Sequence, residues 1–207
     1  MDFLAVFETP ILVFQVPGTD ELNAALAAKL LDERARDPGL RVSNRGSWHS
    51  VPDLARRPDP AFRELSDMLG RHFLRATHEL AQARGLPQVP PLKLALTAWA
   101  MVMDDGHYTL LHDHAAATWS SAYYVDAGDP PPPDLPDAGR LAFVDPRRAA
   151  PAVPGLDLFS GALDLPARTG QLVIFPGYLQ HFVHPYRGTR PRISIGANAM
   201  IQVGPPA

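Results

Sequence analysis

The sequence predicts a mainly β protein: one barrel with two helices packed against its outside. Three observations lead there. Apolar residues recur at helical spacing in two early stretches. After Pro87 the pattern changes to short apolar runs separated by turn residues. And 23 prolines in 207 residues imply many strand ends and loops.

In chain order, ILVFQV at 11–16 reads as a short strand closed by Pro17-Gly18. Thr19 or Asp20 can cap a helix that runs to about Arg36. Leu22, Ala25, Leu26 and Leu30 give its apolar spacing, and Asp37-Pro38-Gly39 ends it. SNRGSWHS at 43–50 reads as a loop. The second helix has clear punctuation: Asp59 as cap, Pro60 at the first helical position and Gly85 at the end. Phe62, Leu65, Leu69, Phe73, Ala76, Leu80 and Ala83 form its apolar stripe. Strand-like runs follow at 92–103, 107–112, 118–126, 140–144, 171–175, 181–184 and 192–202. Between them, GDPPPPDLP at 128–136 reads as a polyproline-like or mobile surface loop. There is no internal repeat. Residues 1–207 form a single domain, with a helical part over 1–88 packed on a barrel over 89–207.

Composition narrows the function. Apolar residues make up 46% and charged residues 20%, as in a globular protein of ordinary solubility. The net charge is −3 without a dense Lys/Arg run, so neither nucleic acid nor an anionic membrane is an expected partner. No apolar stretch reaches the roughly 18–20 residues that span a bilayer. Met1 to Pro10 carries Asp2 and Glu8 and no basic residue, unlike a secretory signal. There is no cysteine, which excludes disulfides, thiolate metal sites and cysteine nucleophiles. A cytoplasmic location is the natural expectation.

Histidine is where the chemistry gathers. Five of the eight histidines fall between 107 and 184. His112 and His114 are two apart, so on a strand they share a face. His181 comes 69 residues later, after the apolar run QLVIF and the turn PGYLQ. A close pair plus a distant histidine is the spacing of a barrel metal site, with positions left open for other ligands. His72 and His78 lie on the second helix and read as partly buried or solvated helix residues. His49, after Trp48 in a loop, reads either way.

The last strand, RPRISIGANAM, alternates. Arg192, Ser194, Gly196 and Asn198 share one face, and Ile193, Ile195, Ala197 and Ala199 take the other. A guanidinium grips a carboxylate through two parallel hydrogen bonds, and Ser194 could add a third. Such a strand could anchor a diacid whose other end chelates the metal. It equally fits an edge strand with a solvated face.

In order and spacing these segments resemble the iron(II)/2-oxoglutarate-dependent oxygenase superfamily, whose core is a double-stranded β-helix (jelly-roll, cupin-like). More narrowly they are similar to a bacterial group of such oxygenases. The resemblance covers nearly the whole chain: FETPI at 7–11, SNRGSWHS at 43–50, AWAMVMDDGHYTLLHDH at 98–114 and TWSSAYYVDAGD at 118–129. It continues through DPR at 145–147, GQLVIFPGYLQHFVHP at 170–185 and RPRISIGAN at 190–198. It implies that His112 opens the metal-ligand motif and His181 supplies the distal ligand. It implies that Arg192 and Ser194 hold the far carboxylate of 2-oxoglutarate, with a phenol from Tyr123 or Tyr124; Asn198 on the same strand is counted with them as a cosubstrate-binding residue. Fe(II), 2-oxoglutarate as cosubstrate and O2 follow from the same likeness. So does hydroxylation of a small molecule, amino acid or peptide with release of succinate and CO2.

Two residues depart from the pattern. The wider superfamily has an acid where this chain has His114, although the narrower group shows His-x-His. A third neutral ligand leaves a bound iron more positive than a carboxylate does. On an extended strand Asp113 would face away from His112. Ser121 stands where the group tends to have glycine. Candidates to orient the metal-binding histidines are His107, Asp104, Asp105 and Asn198. His184, three after His181, points elsewhere on a regular strand. Trp48, His49, Trp99 and Trp119 could line a substrate pocket, with core packing favoured for Trp99 over Trp48.

Two other readings use the same residues. One is a three-histidine, cupin-like metal dioxygenase that needs no 2-oxoglutarate. The other is a non-catalytic barrel that binds a ligand or partner through the proline-rich loop. A homodimer is compatible with all three.

Overall fold

The computed structural model describes residues 8–86, 88–147 and 162–204. The first residue of the FETPI motif and the Met1–Phe7 part of the N-terminal reading lie outside them.

Strand β1 (Leu12–Gln15) leads into helix α1 (Asp20–Arg36). Thr19 occupies the capping position without a side-chain capping bond. The loop expected at 43–50 instead contains two short strands, β2 (Asn44–Arg45) and β3 (Trp48–His49), followed by a 3-10 turn at Leu54–Arg56. Helix α2 (Pro60–Ala83) starts as its punctuation predicts, with Asp59 accepting from the Ala61 amide at 3.0 Å. Then come β4 (Leu92–Met103), β5 (Tyr108–His112), β6 (Trp119–Asp126), β7 (Leu141–Val144), β8 (Ala162–Leu165), β9 (Gln171–Pro176), β10 (His181–Val183) and β11 (Arg192–Val203).

The strands form two antiparallel sheets, ordered β1-β9-β6-β11-β4-β3 and β2-β5-β10-β7-β8. Eight of them interleave as β4-β11-β6-β9 facing β5-β10-β7-β8. This is the double-stranded β-helix that the resemblance implied. Both helices cover the outer face of the larger sheet. Phe62, Leu65, Leu69, Phe73 and Ala76 of α2 are buried there with Leu26 and Leu30 of α1. They pack on Ala98, Ala100 and Val102 of β4 and on Ile193, Ile195, Ala197 and Ala199 of β11. Each large apolar side chain so buried contributes roughly 1.5–3 kcal/mol. Two polar staples add to this: Tyr123 donates to Asn23 of α1 at 2.7 Å, and the Trp119 indole donates to Thr77 of α2 at 2.9 Å.

The proline-rich insert lies at the surface, with most of residues 130–137 exposed. It is tied to the end of the barrel by a dense set of hydrogen bonds. Asp129 accepts from the Thr189 amide at 2.7 Å and from the Arg190 amide at 3.1 Å, and its own amide donates to the Tyr186 hydroxyl at 2.7 Å. Within the insert the Leu135 amide donates to Pro132 at 3.0 Å. Proline lacks an amide proton, so the tie is made by Asp129, just ahead of the prolines, whose carboxylate accepts and whose amide donates. No described helix is long and apolar enough to cross a membrane.

Candidate metal and cosubstrate site

The open interior between the sheets is a cavity of about 560 Å³. His112, His114 and His181 meet in its wall. One ring nitrogen from each lies within 4.8 Å of the other two. His112 is the last residue of β5 and faces His181, the first of β10, across the ladder. His114 lies beyond the end of β5, so the strand alternation expected for the pair does not position it. Its amide donates to the Gly177 carbonyl at 2.7 Å instead. The turn at Gly177 thereby presents His114 beside the other two.

Backbone carbonyls select the tautomers. The Nδ1 of His112 lies 2.7 Å from the Leu110 carbonyl, and that of His181 lies 2.9 Å from the Leu179 carbonyl. A carbonyl only accepts, so both Nδ1 atoms carry protons and both Nε2 atoms present lone pairs to the cavity. Ser43 approaches the Nε2 of His112 at 3.3 Å. Burial first, and the neighbouring histidines second, keep these rings neutral: burial lowers the His112 pKa, and burial together with the adjacent imidazoles brings His114 to about 4 and His181 to about 3. Three neutral imidazole nitrogens converging from two strands and a turn form a donor set for a first-row transition metal. Asp113 is exposed and its carboxylate accepts from the Ala115 amide at 3.1 Å, so it closes a turn.

Along β11, Arg192 and Ser194 are buried and line the same cavity. The Arg192 guanidinium lies over the Tyr124 ring, 4.9 Å from its centroid, and Nη1 donates to the Gly139 carbonyl. Its Nε is buried with no hydrogen-bond partner, and no carboxylate pairs with this arginine among the described residues. A buried cation without an anion carries a large desolvation cost. The arrangement is complete only with an incoming anion.

Residues 97–198 match the family model described as "Putative 2OG-Fe(II) oxygenase". The barrel core belongs to the 2OG-Fe(II) oxygenase family. No curated protein sequence matches the chain. Among solved structures, a prolyl-4-hydroxylase from Pseudomonas putida superposes with a TM-score of 0.61 at 18% identity, over 93% of this chain and 91% of that one. HygX from Streptomyces hygroscopicus, solved with nickel and 2-oxoglutarate bound, gives 0.55 at 16% identity over 92% and 82%. A prolyl hydroxylase from Trichoplax adhaerens, in complex with a hypoxia inducible factor oxygen degradation domain peptide fragment, gives 0.58 at 13% over 92% and 83%. At these identities the likeness is one of fold.

This oxygenase family uses Fe(II) and 2-oxoglutarate, and the cavity fits both. The neutral histidine set suits the metal, and the orphaned Nε of Arg192 suits a carboxylate. The other expected residues sort by strand face. Tyr124 faces the cavity, whereas Tyr123 points the opposite way, into the layer under α1. Asn198 lines the cavity, six residues along β11 from Arg192. The tryptophans reverse their expected roles. Trp48 and Trp119 are in the core, and Trp99 lines the oxygenase cavity between His49 and His114, with centroid distances of 5.9 and 5.4 Å. The Trp99 indole has room because Gly196 stands beneath it: a Cβ there would come within 2.7 Å of the indole nitrogen.

None of the expected orienting groups does that work by hydrogen bonding to the triad. Asp104 pairs with Arg34, Asp105 accepts from Gly188, and His107 Nδ1 accepts from the Asp104 amide. His184 meets Asp164 outside the triad. The Ser121 hydroxyl reaches the Ala197 carbonyl at 3.5 Å, bracing β6 against β11. Sequence reasoning missed Ser43, whose two-residue neighbour strand β2 carries no periodic signal.

Proposed function

We propose that this protein is an Fe(II)/2-oxoglutarate-dependent dioxygenase that hydroxylates a small molecule, amino acid or peptide, releasing succinate and CO2. In this reading His112, His114 and His181 hold the iron. Arg192, Ser194 and Tyr124 hold the far carboxylate of 2-oxoglutarate. The observation that carries it is the buried, unpaired Arg192 in the same cavity as the three converging histidines. Among the described residues the cavity wall holds no other Lys or Arg, so a diacid has one anchor to find.

When bound, iron with 2-oxoglutarate and dioxygen supplies an oxidative decarboxylation that leaves one oxygen atom for insertion into a substrate C–H bond. The chain's own residues have simpler tasks. The Leu110 and Leu179 carbonyls hold two imidazoles in the tautomer that ligates. The Gly139 carbonyl and the Tyr124 ring hold the guanidinium in place for a bidentate grip. Phe175, edge-on to His181 at 4.7 Å, and Phe143 keep water from that side of the triad. We read the setting as cytoplasmic, in keeping with a cysteine-free chain of mixed charge.

The test is succinate formation from 2-oxoglutarate with Fe(II), ascorbate and air. Slow succinate release without substrate is the expected result. Oxygen uptake that needs no 2-oxoglutarate would contradict it and favour the three-histidine dioxygenase reading.

A further inference from the structure

The inner face of the larger sheet is laid out in cross-strand rows. Ser194 stands between Met101 of β4 and Tyr124 of β6. Gly196 stands between Trp99 and Ala122, and Asn198 stands between Thr97 and Ser120. Successive rows are ~6.6 Å apart, so Asn198 is ~20 Å along β11 from Arg192. A five-carbon diacid is shorter than three residues of extended backbone. One molecule of 2-oxoglutarate held by Arg192 therefore does not reach Asn198.

The Asn198 row is nonetheless built for a ligand. Asn198 Oδ1, in the cavity lining, is buried and has no hydrogen-bond partner. Buried acceptors left bare are a standing cost that an incoming donor relieves. His49 offers another. Its Nδ1 donates to the Ser50 carbonyl at 2.6 Å, which leaves Nε2 with a lone pair and no partner among the described residues. The His49 ring lies nearly parallel to Trp99, with 8° between the planes. Leu40, Val42, Leu110 and Leu111 line the same cavity and are exposed at its mouth. Apart from Arg192 and Asp113, the described lining carries no formally charged side chain.

Resting on the oxygenase reading above, we propose that Asn198 and Thr97, with His49 beside Trp99, form the subsite for the compound being oxidised. It takes a neutral ligand with an apolar body and an N–H or O–H donor. Acceptors without cations favour a donor and disfavour an anion. The apolar rim and the Trp99 face suit a ring or branched hydrocarbon body.

Four probes of one shape separate the possibilities: benzamide, benzoate, benzylamine and toluene. Binding of each is measured by ligand-observed NMR titration on the full chain loaded with Mn(II) and 2-oxoglutarate. Benzamide is expected to bind tightest, and Asn198→Ala to weaken it about tenfold, the scale of one lost hydrogen bond. Asn198→Asp, nearly the same shape, is expected to shift the preference to benzylamine. The affinity of both variants for 2-oxoglutarate, read separately by calorimetry, should stay within about twofold of the parent. Benzoate binding as well as benzamide, or none of the four binding, overturns the proposal. So does a loss of 2-oxoglutarate affinity in Asn198→Ala equal to that in Arg192→Ala. If 2-oxoglutarate fails to bind the Mn(II)-loaded parent, the oxygenase reading itself is overturned and takes this subsite with it.

Discussion

His181 stands directly opposite His112 across the β5–β10 ladder, with ring centroids 4.4 Å apart. The pairing sets two of the nitrogens proposed to hold the metal on neighbouring strands, each ring tied to the carbonyl two residues before it. Replacing His181 with alanine removes one donor and opens the cavity wall. Mn(II) affinity, measured by calorimetry, should fall by more than the roughly 10–100-fold that loss of a mere supporting partner costs. An unchanged affinity would remove His181 from the ligand set.

Gly177 controls the third histidine. A Cβ there would stand 2.6 Å from the His114 carbonyl oxygen and closer still to that of Ala117. Gly177→Ala must therefore push the 114–117 turn outward. The expected cost is about 1–3 kcal/mol of stability, the range for overpacking. Metal affinity should fall with it, while Gly85→Ala, where nothing stands within 4 Å, leaves metal affinity unchanged. Thermal denaturation with and without Mn(II) checks both.

Arg192→Ala should weaken 2-oxoglutarate binding about 100-fold, the scale of a lost bidentate charge-assisted pair. Mn(II) affinity should change little, because the Arg192 guanidinium meets the Gly139 carbonyl and the Tyr124 ring, not the three histidines. Arg192→Lys should fall between, since an ammonium keeps the charge and loses the planar fork. Calorimetry of each ligand in turn separates these outcomes.

The proline-rich loop makes a prediction about acid. Arg190 beside Asp129, with amides from Thr189 and Arg190, holds that carboxyl well below its ordinary value of 3.8. A carboxyl whose folded pKa is depressed lends stability above its unfolded pKa and loses it as pH falls through the folded one. Asp129→Asn should therefore lower the melting temperature at pH 7, and the gap from the parent should narrow as pH drops below about 4. A gap that widens in acid would contradict the assignment.

Much of this was legible in the chain, and particular residues show why. The alternation Ala98, Ala100, Val102 marks the buried outer face of β4. The same alternation puts Trp99 on the cavity side, although so large an apolar ring is more often buried in a core. Tyr123 and Tyr124 were indistinguishable until the ladder set Tyr124 opposite Ser194. His114 was found by spacing, but its position comes from Gly177, a contact made only in the folded chain. Strands β2 and β3, two residues each, are too short for any periodicity to register. The histidines' carbonyl partners were invisible because any residue supplies a carbonyl.

One cavity is proposed to hold both a metal on three histidines and 2-oxoglutarate on Arg192. Anaerobic calorimetric titration of 2-oxoglutarate into the chain, with and without Mn(II), tests it most directly. One site per chain is expected, with binding that is strong only when the metal is present and is lost in Arg192→Ala. No binding with the metal present, or equal binding in Arg192→Ala, would contradict it.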